Sequence, residues 1–230
     1  MTDKHFKLRE DLSITFLGRK LFRIEATKDL KKHNVKAGDI GGYIEKESNL
    51  SGNAWVYDNA KVFGDAWVYG NAKVYDNAKV CGDAKVCGNA KVYDNAKVCD
   101  NAEVYGDAKV YDNAVVCDNA KVYGDAEVYD DAVVYGDAVV YGDAEVYGNA
   151  EVCGDTISKS DDLYNITSNS QYNITILPHS IKIGCQFHKK EDWWNFTDRE
   201  IIEMDGKDAL KWWRVWKPIL QAICEVQNDR

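Results

Sequence analysis

From Ala54 to Gly154 the chain repeats one six-residue phrase, Ala-x-Val-(Tyr/Cys/Phe)-(Gly/Asp)-(Asp/Asn), with no insertion or deletion. Ala recurs from 54 to 150 and Val from 56 to 152, giving 17 consecutive hexads. A fixed short period marks a solenoid, in which each unit buries its apolar face only against its neighbours. Every third hexad agrees more closely than adjacent ones. The residue after Val is Tyr57, Tyr75, Tyr93, Tyr111, Tyr129 and Tyr147 in one register, and Phe63, Cys81, Cys99, Cys117, Tyr135 and Cys153 in the second. The third reads Tyr69, Cys87, Tyr105, Tyr123 and Tyr141. The repeat is therefore 18 residues long: one coil with three unequal sides.

Alternation places Ala and Val inward and the intervening Lys, Glu, Val or Trp outward. Small apolar residues suit the interior of a narrow three-sided tube. The Gly/Asp–Asp/Asn pair supplies each corner, because Gly tolerates unusual dihedrals and Asx side chains bond nearby backbone. Burying a Val contributes about 1.5–3 kcal/mol, so the Val columns dominate cohesion. At a strand spacing of ~4.8 Å, nearly six coils make a rod of about 27 Å. Ile44 and Leu50 fall in the Val frame, so the first coil begins near Gly41–Gly42.

The phrase resembles the hexapeptide-repeat proteins that form a left-handed parallel β-helix. The lead-in VKAGDIGGYIEKESNLSGNAWVYDNA looks like bacterial and phage members labelled acyltransferases, and the tail from Ile181 to Cys224 is similar to tails of phage accessory proteins of that group. The fold class expected is mainly β. The resemblance implies the left hand of the helix and a bacterial host cytoplasm as the setting.

Three segments follow: residues 1–41 as an N-terminal β-hairpin cap, 42–155 as the β-helix, and 156–230 as a C-terminal domain of short strands and then two helices. The hairpin is SITFLGRKLFRIEAT with its turn near Gly18. Three strands, LYNITS, YNITIL and SIKIGCQF, precede a capping box at Thr197–Glu200 that opens a helix to about Met204. Gly206 breaks that helix, Asp208 caps a second, and Pro218 should kink or restart it. Trp55 and Trp67 replace Lys at the first coils and are expected to seat the N-terminal cap.

The 230 residues carry a net charge of −9, unevenly placed. Residues 54–102 hold six Lys and six Asp, whereas 103–155 hold two Lys, nine Asp and four Glu. No basic stripe suits a duplex, so nucleic acid is not an expected ligand. No 18-residue apolar run or signal-like N-terminus is seen, so neither a membrane span nor export is expected. Seven cysteines, four of them in one register of the rod, read as half-buried packing in a reducing compartment.

Acyltransferases of the resembled type use a His on a loop that breaks the helix. Here the four histidines, His5, His33, His179 and His188, all lie outside the repeats, and no loop interrupts them. Cys185 and His188 are the weak candidates for catalysis, and a lone C-x-x-H is short of a zinc set. No metal or cofactor is expected. The binding candidates are the tyrosine column from Tyr57 to Tyr147 and the flanking Asp76, Asp94, Asp112 and Asp130. Their rings could stack on planar ligands, or simply pack on one another. Outward Val115, Val133 and Val139 mark a docking stripe for the helix carrying Trp212, Trp213 and Trp216, or for a second subunit. The function expected is a non-catalytic solenoid that binds a protein partner or small ligand, specifically a phage accessory protein acting on a host defence or regulatory component. An acyltransferase and a nucleotide sponge are the alternatives. A homo-oligomer, dimer or trimer, is compatible with each of these readings.

Overall fold

The structure, a computed structural model, describes residues 4–166 and 171–228. Its centre is a β-solenoid of about six turns whose two-residue rungs stack in parallel and in register. The tyrosine side stacks six rungs, from Trp55–Val56 to Glu145–Val146, and the third side stacks six, from Trp67–Val68 to Thr156–Ile157. Within the repeats each rung pairs a residue with the one 18 positions on, as Lys73 with Lys91 and Val74 with Val92. Every inward Val from 56 to 152 is fully buried, and the Ala column is buried beside it. Ile44 and Leu50 extend the same inward frame, as the sequence predicts.

The corners are left-handed. Asp58, Asp76, Asp94, Asp100, Asp112, Asp118 and Asp130 take φ between 48° and 59°, at the position that Gly fills elsewhere. The sequence predicts Asx turns within a coil for the Asp side chains. The bonds instead run between coils: Asp130 Oδ2 accepts the Gly148 N–H at 3.1 Å and Asp118 Oδ2 that of Gly136 at 3.1 Å. The next corner residues form amide ladders along the rod. Asn101 donates to Asn119 and Asn119 to Asp137, each at 3.1 Å. Such ladders end on an Asp because a carboxylate accepts but cannot pass a proton donor onward.

Both ends are covered, which removes strand edges that would otherwise pair with other chains. Strands Phe6–Phe16 and Arg19–Ala26 form the N-terminal hairpin, turning at Leu17 and Gly18. The second strand pairs with Ile40–Ile44, which itself continues the cysteine side in parallel with Lys61–Val62. The cap is thus part of a nine-stranded sheet rather than a separate lid. Trp55 is 1 % exposed beneath this cap. Trp67, in contrast, lies 41 % exposed, stacked on Tyr69 at 4.0 Å and bonded to Ser51.

At the other end the periodicity runs one rung past Asp155 through the loss of one residue. Asp155 takes the place of an Ala, its carbonyl accepting from Val139 N–H as Ala150 accepts from Val133. Its buried carboxylate accepts from Ser180 Oγ and from the His179 N–H at 3.2 Å, tying rod to C-terminal sheet. That sheet has four strands, Tyr164–Ile166, Ile174–Ile176, Ser180–Ile183 and Gln186–Lys189, where three were expected. The extra strand arises because Gly184, at φ 58°, turns the predicted SIKIGCQF strand back on itself. Thr167 and Ser168 of the first predicted strand lie outside the described residues.

A short helix at Lys190–Asn195 leads to a long one at Asp198–Asn228. The capping box is present, with Thr197 N–H donating to Glu200 and Glu200 N–H to Thr197 Oγ1 at 3.3 Å. The helix breaks at Asp205 and Gly206, the only non-helical residues within it, and continues through Pro218 without a restart. Among the described residues no helix is long and apolar enough to cross a membrane.

Candidate functional site

The tyrosine column is a closed stack. Rings of Tyr75, Tyr93 and Tyr111 lie 4.7 and 4.8 Å apart and within 3° of parallel. Tyr111, Tyr129 and Tyr147 continue at 5.0 and 5.6 Å. These are contact distances for aromatic pairs, so each ring occupies the space a planar ligand would need. Burial among its neighbours pushes Tyr93 up to about 12. Tyr111 and Tyr129 donate to Glu127 and Glu145, each at 2.9 Å. Tyr57 leaves the stack: it stands at 84° to Tyr75 and donates to the His33 carbonyl. Of the flanking carboxylates, Asp76, Asp94 and Asp112 are half-buried and Asp130 is exposed, all shaping corners.

Beside this stack runs a groove of about 620 Å³. One wall is the outward column Lys73, Lys91 and Lys109, the other is Asn71, Asn89 and Asp107, and Lys32 with His33 closes its upper end. The sequence carries its signal, Lys at 18-residue spacing, but not the neighbouring wall, which comes from the preceding corner. Toward the C-terminal end the lysines give way to Glu127 and Glu145, and Lys109 pairs with Glu127 at 2.5 Å.

His33 is 5 % exposed, and its Nδ1 lies 3.2 Å from the Tyr57 hydroxyl. Burial first, then the charges of Lys73 and Lys32, hold it down to about 4. On acidification the unfolded chain therefore takes up this proton first. The contribution to stability is complete above pH 6.5 and falls as pH drops from 6.5 toward 4, by on the order of 2 kcal/mol. Urea midpoints at pH 7 and 4.5 should differ accordingly, and His33→Leu should flatten the difference. An unchanged pH dependence in that variant would rule out His33 as its source.

On the cysteine side, Cys81, Cys99 and Cys117 stack in successive coils between Phe63 and Tyr135. Cys99 is buried and donates to Asp100 Oδ2 at 3.3 Å. The neighbouring Cys99 thiol shifts Cys81 down, while Cys99 itself is raised by that neighbour and by burial.

Cys185 and His188 are not assembled into a site. Cys185 sits exposed on the hairpin turn, whereas His188 packs edge-on against Trp193 and Phe196 and bonds Gln186 at 3.3 Å. Cys185 instead rims a small pocket of about 140 Å³ formed with Met204, Asp205 and Trp212. His5 is buried against the Ala54 carbonyl at 2.9 Å.

The expected docking of the tryptophan helix on the rod valines takes a different form. Trp213 is buried in a separate core with Trp193, Ile174, Ile176 and Ile181, and Trp212 and Trp216 pack at its margin. Among the described residues, Ile157, Leu163, Leu177 and Phe187 of the C-terminal segment join the rod's core. The helix packs on the four-stranded sheet and not on the three valines. Val115, Val133 and Val139 are half-buried along the rod.

A family model described as the YdcK beta-solenoid repeat matches residues 126–142. This stretch carries three consecutive hexad rungs, one on each side of the coil. Among curated proteins, none matches the chain.

Proposed function

We infer that the protein is a rigid, non-catalytic scaffold whose acidic half engages a basic surface on a protein partner. The observation that carries this reading is the sorting of charge along the corner columns. Asp107, Asp125 and Asp143 are exposed at one corner of successive coils, Asp131 lies at a second and Asp118 and Asp137 at the third. Fixed carboxylates one coil apart on a stiff rod make a strong local negative potential that loses no conformational freedom on binding. A host defence or regulatory component is the partner expected for a phage accessory protein.

The test is capture from bacterial lysate by the intact protein and by a variant with Asp107, Asp125, Asp131 and Asp143 all changed to Asn. Four exposed charges at about 0.5 kcal/mol each predict roughly 30-fold weaker binding, with matching loss in high salt. A partner held equally by the variant would sink the acidic-surface reading.

The lysine groove favours a second reading, a binder of anionic small molecules such as nucleotides. Lys73 and Lys91 line it beside amide donors from Asn71 and Asn89. Calorimetry against a nucleotide panel should then give heat that Lys91→Gln abolishes, and no heat across the panel counts against it.

A further inference from the structure

We propose that the stacked thiols of Cys81, Cys99 and Cys117 form a site for a soft monovalent cation, Cu(I) or Ag(I), held two-coordinate between successive coils. The rungs force these side chains into register: the N–H groups of Cys81, Cys99 and Cys117 each bond the following coil at 3.0 Å, to Val98, Val116 and Val134. The rise per coil is matched by the tyrosine stack alongside, at 4.7–4.8 Å. Cys99 Sγ, Cys117 Sγ and an Asp100 carboxylate oxygen all lie within 4.8 Å of one another.

The spacing selects the metal. A metal–thiolate bond is about 2.3 Å, so two in line span about 4.6 Å, close to one coil. Soft thiolates favour Cu(I), and a linear S–M–S unit fits between two rungs without moving the backbone. The same spacing works against a tetrahedral ion, because the first and third sulfurs stand about 9.5 Å apart on two coil rises and cannot converge on one centre. The column is also closed at both ends, by Phe63 before Cys81 and Tyr135 after Cys117. Three sulfurs then make two gaps, and Cys99 is shared between them.

Filling both gaps forms four metal–sulfur bonds and breaks three S–H bonds. Two monovalent cations enter, three protons leave to solvent, and the core carries one net negative charge. The Lys97 ammonium lies close enough to act on all three thiols and offsets that charge.

Native mass spectrometry of the reduced full-length protein, loaded with Cu(I) or Ag(I) in excess glutathione, tests the proposal. Wild type should retain two ions. Cys81→Ser and Cys117→Ser should each retain one, and Cys99→Ser none. Cys99→Ala, checked by circular dichroism, repeats the central result should a serine hydroxyl disturb the buried position. Ion retention that ignores Cys99, surrender of both ions to glutathione, or preferential retention of Zn(II) would each overturn it.

Discussion

Val98→Asp is expected to destabilise the protein by at least about 4 kcal/mol, while Val98→Thr at the same place costs about 1–2 kcal/mol. Val98 is fully buried, and its ladder neighbours are Val80 and Val116. The tube interior there offers only Ala and Val side chains, whose backbone groups are already engaged between coils. Asp has nearly the volume of Val, so the cost is electrostatic: a carboxylate with no partner must stay charged in an apolar tube or take up a proton. Thr carries the same shape with a hydroxyl that can bond its own backbone. Urea unfolding followed by circular dichroism gives both values. Because each coil contacts only its neighbours, a defect at mid-rod should also split the transition in two. A Val98→Asp protein unfolding in one step near the wild-type midpoint would contradict the dry, partnerless core.

Gly88→Val should cost more than about 3 kcal/mol, whereas Gly88→Asp should cost about 1 kcal/mol. Gly88 has φ +71°, and a Cβ there would stand 2.9 Å from both the N and the O of Gly106 in the next coil. Those atoms belong to backbone already committed to the ladder, so any Cβ there obliges the corner itself to shift, and branching adds to that shift. A β-branched residue adds the left-handed penalty to that clash. Asp tolerates the left-handed region and fills the equivalent corner at Asp76, Asp94 and Asp112, where φ is 54–56°. The corner must relax toward that smaller angle to accept it. Thermal denaturation of the two variants separates the effects, and equal losses would mean that branching is irrelevant at the corner.

Much of the fold is legible in the sequence, because contacts inside a solenoid repeat at the sequence period. The Val frame from Ile44 to Val152, the corner positions, the cap turn at Gly18 and the helix break at Gly206 all follow from local rules. The tyrosine column admits two readings, a ladder or a ligand platform. Only the 4.7 Å ring spacing decides for the ladder. The lysine column recurs at the coil period, but its union with the Asn71 and Asn89 wall has no local signature, because the two walls meet only where the corner between them is folded.

The aperiodic ends are the least legible. SIKIGCQF reads as one extended strand, yet Gly184 folds it into a hairpin. Asp155 reads as the end of the repeat, although it occupies an Ala site and anchors the next domain through Ser180 and His179. The rod valines read as a docking stripe for the Trp-rich helix, which instead packs with Ile174, Ile176 and Ile181. No local rule announces that a four-stranded sheet will offer it a face.

The sequence by itself determined the coil: its 18-residue length, its inward Ala and Val, its three distinct sides and its charge sorted toward one end. A period needs no long-range information, because each residue's neighbour is its counterpart one coil on. The tertiary structure alone decided what lies between columns and beyond the repeats. It placed His33 against Tyr57 and tied the rod to its caps. Those contacts depend on how whole elements pack, and no local pattern along the chain encodes that geometry.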